Sequence, residues 1–222
     1  MNNYPLCLIG KEIYPVLGQE FAGGPMFFPL DDASDVLRAE KTTKDGQKNL
    51  QLAIEKMMAE NDSTWAISGY PEKRAELADY PLDIRENRPW HIGVDISAPK
   101  GTKLYAPLDS VVEEVGNETE RGNYGGYIVL KHDVDGCVFY TIYGHLNFEK
   151  FPQLGASLRA GDCFGEMGDM SQNGNWFYHV HMQVLTQRGF DEGWSQRGLC
   201  SEEQFVTIHE LCPNPLFLIV LR

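Results

Sequence analysis

The chain has 222 residues, a formal net charge of −13 and 42% hydrophobic residues. This length suits one large domain or two small ones, and the apolar content is that of a folded globular protein rather than a disordered one. The negative charge is spread along the chain without a basic stripe, which argues against nucleic acid as a partner.

The N-terminus and the cysteines bear on localisation. The first residues, MNNYPLCLIGKEIYPVLGQE, lack the basic segment and long apolar stretch of a secretory signal. Five scattered cysteines without C-x-x-C spacing favour a reducing compartment. Cys200 and Cys212 could pair in an oxidising setting, although buried free thiols are the favoured interpretation. We therefore expect a cytoplasmic protein, with unconventional export left open.

Residues 1–88 predict a mostly helical N-terminal extension. The segment 1–31 is rich in Gly and Pro and has little periodicity. Helix-forming segments follow at three places: 35–41, 45–60 and 72–80. In the second of them, four apolar side chains lie at helical spacing and predict core packing: Leu50, Ile54, Met57 and Met58. Residues 81–89 are interpreted as a connector.

From Trp90 the pattern changes to short β-branched and aromatic runs separated by turn signals. These runs include TKLYAPLDSVVEEV, GGYIVLKHDVDG, CVFYTIYGHL and HVHMQVL. Several short strands at close spacing predict a mainly β domain, an antiparallel sandwich or barrel. We place this domain at 89–187 and a C-terminal tail packed on it at 188–222. Within the tail, the apolar run PLFLIVL is too short to span a bilayer and predicts a buried strand.

Two histidines lie two residues apart in HVHMQVL. Because residues i and i+2 of a strand point to the same face, His179 and His181 are expected to point in the same direction. His91 begins HIGVD, so Asp95 follows four residues later. Zinc binds neutral imidazoles and carboxylates, and one histidine of the pair would complete a three-ligand set with these residues. The remaining titratable residues of interest are not expected to bind metal. His132, Glu113 and Glu114 are expected on solvent-exposed strands, and His209 is expected to be a structural residue of the tail.

Four separated motifs then agree in order and chemistry: WHIGVDISAPKGTKLYAPLDSVV, GNYGGYIVLKH, YTIYGHL and HVHMQVL. Over residues 90–187 the sequence resembles the LytM/lysostaphin-type zinc metallopeptidases, the M23 peptidases. The resemblance implies one Zn²⁺ per chain with three ligands: His91, Asp95 and His181. It also implies two unligated catalytic histidines, His145 and His179. Asn123 and Tyr124 correspond to a loop that lines the cleft and contacts substrate, although a glycine-rich hairpin turn explains them equally well.

By the same resemblance, the expected activity is that of a zinc-dependent metalloendopeptidase acting on peptidoglycan-like or Gly- and D-amino-acid-containing peptides through a zinc-activated water. The H-E-x-x-H motif is absent, and a histidine with a pKa near 6.5 can replace its glutamate as base. Two alternatives stay open at this point. One is a non-catalytic, zinc-retaining binding or regulatory module. The other is a phosphohistidine carrier, against which Asp95 argues because a carboxylate would repel the phosphoryl group.

Two features predict a restricted cleft. Trp176, Phe177 and Tyr178 directly precede the first histidine of the pair, and their bulk is expected to narrow the cleft. The amphipathic segment 45–60 must bury its apolar face, and the β domain is its largest available partner. We expect part of the extension to lie beside the cleft, with packing on the far side of the sandwich as the alternative.

Overall fold

The fold is built on antiparallel strands, which the β-branched and aromatic runs after Trp90 predict. The computed structural model describes residues 3–19, 21, 24–31, 34, 45–74, 87–118 and 120–219. The strands are β1 Met26–Phe27, β2 Ala66–Ile67, β3 Glu72–Lys73, β4 Trp90–His91, β5 Val94–Ser97, β6 Lys103–Tyr105, β7 Ser110–Glu118, β8 Gly125–Val134, β9 Cys137–Leu146, β10 Ser157–Leu158, β11 Cys163–Glu166, β12 His179–Thr186 and β13 Leu199–Cys200. The α-helices are α1 Gly46–Glu60, α2 Gln187–Asp191 and α3 Glu202–Phe205. Short 3-10 helices lie at Leu6–Leu8, Phe148–Lys150, Trp194–Gln196, Ile208–Glu210 and Pro215–Leu218.

In the described part of the chain, eight strands form the main sheet in the order β1-β2-β5-β12-β9-β8-β7-β10. All neighbouring pairs are antiparallel except β1 and β2, which are parallel. Smaller sheets pair β11 with β6, and β13 and β3 with β4. The predicted mainly β, antiparallel fold is confirmed. Strand β12 lies between β5 and β9 and is therefore hydrogen-bonded along both edges.

The two faces of β12 have different roles. Val180, Met182 and Val184 are fully buried in the main hydrophobic core. On the opposite face of the sheet, the tail packs over the strands and forms a second hydrophobic core. This core consists of Ile92, Val129, Tyr140, Ile142, Leu185, Trp194, Cys200, Ile208, Leu211 and Cys212. The tail thus packs on the β domain, and the domain boundaries at residues 88 and 187 stay a prediction. Cys200 and Cys212 are buried free thiols.

The extension contributes strands as well as a helix. The predicted helix at 45–60 is present as α1, and its residues Leu50, Ile54 and Met58 are buried while Met57 is partly buried. This face packs against Phe28 and Phe177. The helix predicted at 35–41 lies outside the described residues. None of the helices in the described ranges is long and apolar enough to cross a bilayer.

Three sequence expectations are wrong. A helix from residue 72 is not formed, because Glu72–Lys73 is strand β3 and pairs with β4; residues 75–80 lie outside the described residues. The expected strand at PLFLIVL begins as a 3-10 helix over Pro215–Leu218, started by proline and by an N-cap in which Asn214 Oδ1 accepts from the Leu216 N–H at 2.9 Å. His132 is fully buried rather than solvent-exposed, with its ring nitrogens 3.1 Å from Asp109 O and 2.9 Å from Thr141 Oγ1.

Candidate metal centre

Three strands from two sheets place the predicted ligands together. His91 ends β4, Asp95 lies in β5, and β12 pairs with β5 so that His181 is directly opposite Asp95. A two-residue link, Ile92 and Gly93, turns the chain from β4 into β5. The three side chains are buried, and their candidate ligand atoms all lie within 4.8 Å of one another. The structure therefore brings together the three residues that the motifs predicted as ligands.

The two distances from Asp95 fit a small cation, whereas the two histidine nitrogens lie closer together than zinc ligands do. Asp95 Oδ1 lies 3.4 Å from His91 Nε2 and 3.4 Å from His181 Nδ1, and the two nitrogens are 2.8 Å apart. Tetrahedral zinc ligands at 2.0–2.1 Å from the ion are about 3.3 Å from each other. Asp95 Oδ1 is buried and has no hydrogen-bond partner among the described residues. A buried carboxylate oxygen that faces imidazole nitrogens without a donor is the arrangement that a zinc ion would satisfy.

Hydrogen bonds to the far side of the ring set the tautomers of His181, His179 and His145. His181 Nε2 lies 3.1 Å from Gln183 Oε1, so Nε2 carries the proton and Nδ1 offers its lone pair towards Asp95. Gln183 therefore acts like the outer partner that commonly orients a metal-binding histidine. His179 Nδ1 and His145 Nδ1 each lie within hydrogen-bonding distance of a backbone carbonyl, that of Phe177 at 2.8 Å and that of Asn173 at 2.9 Å. Because a carbonyl can only accept, both rings are left with an unprotonated Nε2.

His145 and His179 stand side by side next to this three-residue group. Their ring centroids are 4.3 Å apart, and His179 Nε2 lies 3.6 Å from Asp95 Oδ1. His145 adopts a φ of 68°, in the left-handed region that side chains seldom occupy. Hydrogen bonds hold this backbone on both sides, from the His145 N–H to Tyr124 O at 2.7 Å and from the Gly168 N–H to His145 O at 3.0 Å. Such a constrained conformation commonly marks a functional residue.

The protonation equilibria favour neutral rings. Burial lowers the pKa of His91 to about 3 and that of His179 to about 4. Burial also lowers the pKa of His145 well below its usual value, and the neighbouring His179 adds to the shift. Burial alone would raise the pKa of Asp95, but the facing His91 and Arg74 side chains hold it well below its usual range. Neutral imidazoles beside an ionised carboxylate are the protonation states that bind a metal.

A cleft of about 790 Å³, including its open mouth, leads to these side chains. Both the N-terminal extension and the β domain contribute to its walls. The wall residues include Leu30, Gln47, Leu50, Arg74, Arg88, Asn123, Tyr124, Trp176 and Phe177. The Tyr124 ring lies 5.3 Å from His181 and 5.9 Å from His145, and Asn123 O accepts a hydrogen bond from Trp176 Nε1 at 3.0 Å. The predicted cleft loop and two of the three predicted aromatic residues thus line the cleft together with the extension.

Three residues that hold the site in place were not predicted. Gln183 follows His179 and His181 at the same two-residue spacing, so a third polar side chain on one strand face was a readable signal. Arg74 and Glu72 belong to the extension, and Arg74 Nη1 donates to Asp95 Oδ2 at 2.6 Å. A single arginine in a segment of helix-forming composition carries no signal of such a contact.

The comparison with known families concerns the β domain and the beginning of the tail. Residues 89–191 match the sequence model of peptidase family M23. The resemblance to the M23 peptidases seen in the motifs is therefore confirmed for this part of the chain. Arg74 and Glu72 lie outside the matched residues.

The match to each individual relative covers only part of that relative's length. The chain is 42% identical over 76 residues to the uncharacterized lipoprotein YgeR of Escherichia coli, which is 34% of this chain and 28% of that protein. It is 29% identical over 97 residues to the DD-carboxypeptidase/endopeptidase Mpg of Neisseria meningitidis serogroup B. This match covers 44% of this chain and 21% of that protein. The chain spans about a quarter of the length of these curated relatives. Among solved structures, the catalytic domain of lysostaphin from Staphylococcus simulans is 24% identical with a TM-score of 0.43, covering 66% of this chain and 94% of that one.

Proposed function

We propose that the protein is a zinc-dependent metalloendopeptidase with one zinc ion per chain, held by His91, Asp95 and His181. The observation that carries the proposal is the buried Asp95 Oδ1, which faces three imidazole nitrogens and has no donor among the described residues. The match of residues 89–191 to the M23 family model supports the same ligands and the peptidase class. The proposed substrates are peptides of the peptidoglycan type or peptides that contain Gly or D-amino acids.

The two unligated histidines would carry the proton transfers. A bound zinc ion would polarise the scissile carbonyl and lower the pKa of a water molecule towards about 7. His145 and His179 present neighbouring Nε2 lone pairs, and either can accept the proton that the water loses. The backbone carbonyls of Asn173 and Phe177 hold the Nδ1 protons, so each protonated ring keeps its orientation and can return the proton to the leaving amine.

The cleft supports small or unbranched residues at the scissile bond. Trp176 and Phe177 are almost fully buried where they line it, and the extension contributes Leu30 and Leu50 on another wall. Walls of this kind exclude water, which strengthens electrostatic interactions with the reacting groups. Glycine fits between such bulky walls with the least steric conflict, and this supports glycine-containing peptides as a substrate class.

Metal analysis combined with hydrolysis assays tests the proposal. Protein prepared without chelator should contain one zinc per chain and hydrolyse purified peptidoglycan or a glycine-rich peptide. His181→Ala should lose the metal, and His145→Ala should keep the metal and lose activity. His209→Ala, at an exposed position of the tail, should keep both. Absence of any transition metal in the wild type would refute the metal centre. Equal metal loss in the His145 and His181 variants would refute the division of roles.

The non-catalytic module makes a different prediction for the same experiment. It requires full zinc occupancy with no hydrolysis of either substrate by the wild type. It also predicts that His145→Ala changes neither property, because a purely structural metal needs no unligated histidine beside it.

A further inference from the structure

The extension pairs with both strands that carry the first two proposed ligands. Strand β3 pairs with β4 so that Glu72 lies opposite His91, and β2 pairs with β5 so that Ala66 lies opposite Ser97. Ser68 extends the second pairing. Its N–H donates to Asp95 O at 2.9 Å, and its Oγ accepts from the Asp95 N–H at 2.9 Å. The backbone of Asp95 is therefore bonded to the extension through both of its polar groups.

The side chain of Asp95 is held by the extension as well. Arg74 Nη1 donates to Asp95 Oδ2 at 2.6 Å, and the guanidinium and the carboxylate are only 3% and 2% exposed. Arg74 Nη2 and Nε donate to Glu72 Oε2 at 2.6 and 3.1 Å. Glu72 Oε1 in turn accepts from the backbone N–H groups of Gly69 at 2.7 Å and Leu30 at 3.2 Å. A continuous chain of hydrogen bonds, all but the one from Gly69 fully buried, thus runs from the extension backbone to Asp95.

These contacts give the two oxygens of Asp95 different surroundings. Oδ2 is occupied by Arg74, whereas Oδ1 faces the nitrogens of His91 and His181. We propose that Arg74, which lies outside the M23 match, is a positioning residue that makes Asp95 offer a single oxygen to the metal. The inference rests on the metal centre proposed above, because it assigns a role towards that metal.

Charge and orientation predict opposite effects of removing Arg74. By charge alone, loss of a cation close to the site would strengthen metal binding. By orientation, loss of the guanidinium frees Oδ2 and leaves two buried carboxylates, Asp95 and Glu72, without their shared partner. Loss of an outer partner of a metal ligand typically weakens metal binding by roughly 10- to 100-fold. Arg74→Lys separates the two effects, because lysine keeps the charge but lacks the planar fork that bonds both carboxylates.

Cobalt binding to the full chain provides the test, because Co²⁺ reports both affinity and coordination number by its visible absorption. We expect Arg74→Lys and Arg74→Met to bind Co²⁺ roughly 10- to 100-fold more weakly than the wild type. We also expect weaker absorption per bound Co²⁺, because a freed Oδ2 raises the coordination number. The matched control is Arg188→Met, which removes an exposed ion pair with Glu192 and should change neither property.

The outcomes separate this inference from the proposed function. If the wild type binds no Co²⁺ or Zn²⁺, the proposed metal centre fails and this inference fails with it. If the wild type binds metal and Arg74→Lys matches it in affinity and spectrum, only the positioning role is overturned. Equal or tighter binding by Arg74→Met overturns it as well. Circular dichroism of the metal-free variants verifies folding, and Arg74→Lys alone decides the question if Arg74→Met does not fold.

Discussion

Gly93 lies between the first two proposed ligands and leaves no room for a side chain. A Cβ atom at this position would lie 2.4 Å from Cε1 and 2.6 Å from Nε2 of His181, and 2.8 Å from Met182 O. Carbon atoms in favourable contact are about 3.5–4.0 Å apart, so Gly93→Ala demands a displacement of about 1 Å. The backbone of β12 is bonded to strands on both edges. The imidazole therefore moves most, because its ring atoms make the two shortest contacts, and the contact with Met182 O requires a smaller backbone shift.

Such a displacement is large for a metal ligand. Ligand distances in metal sites vary by only about 0.2 Å, so a ring moved by about 1 Å can no longer hold a metal together with His91 and Asp95. We expect Gly93→Ala to fold with a loss of about 1–3 kcal/mol from overpacking. We also expect it to bind zinc at least about 10-fold more weakly.

Chelator competition and thermal unfolding with and without zinc measure both effects. Gly24→Ala is the matched control, because a Cβ there has no atom within 4 Å, and it should match the wild type in both assays. Wild-type zinc affinity in a folded Gly93→Ala protein would refute the reasoning, since it would mean that the strand rather than the ring had yielded.

Two further predictions concern stability. Burial lowers the pKa of His132 to about 4 from an ordinary value of 6.5. Between pH 6.5 and 4 the unfolded chain therefore binds a proton that the native chain does not. The free energy of unfolding consequently decreases as the pH is lowered through this range. From pH 7 to pH 5 the wild type should lose about 2 kcal/mol more unfolding free energy than His132→Gln, and equal losses in denaturant titrations would contradict this. Gln51 Oε1 accepts from the Tyr178 N–H at 2.6 Å, so Gln51→Leu should cost about 1–3 kcal/mol by leaving that N–H without its acceptor. Lys48→Leu on an exposed face of the same helix should change stability by less than about 0.5 kcal/mol, and similar losses in both variants would show that the Gln51 bond is unimportant.

The β12 strand and α1 were readable from the sequence because their periodicity is physical. In HVHMQVL, alternate residues face the core and the site. The structure places Val180 and Met182 in the core, and it places His179 and His181 in the site. In α1, spacing of three and four residues aligned the apolar side chains that the core buries. Both patterns depend only on backbone geometry, which the local sequence determines.

The extension strands and the buried His132 could not be read in this way. Strands β1, β2 and β3 contain two residues each, too few to show any alternation, and they form because long-range partners pair with them. His132 is buried because Thr141 on the neighbouring strand and the carbonyl of Asp109 satisfy its ring nitrogens. Such partners are distant in sequence, so tertiary contacts override the usual preference of histidine for an intermediate environment.

The charges around Asp95 explain why the extension contributes Glu72 as well as Arg74. An ionised Asp95 buried among neutral imidazoles is costly unless a cation is close, and Arg74 supplies one. Arg74 alone would cancel the charge of Asp95 and leave the group with no net attraction for a metal ion. Glu72 bonds the same guanidinium, so the three side chains together keep a formal charge of −1 that faces the site. The pair from the extension can therefore orient Asp95 without making the site unattractive to a cation.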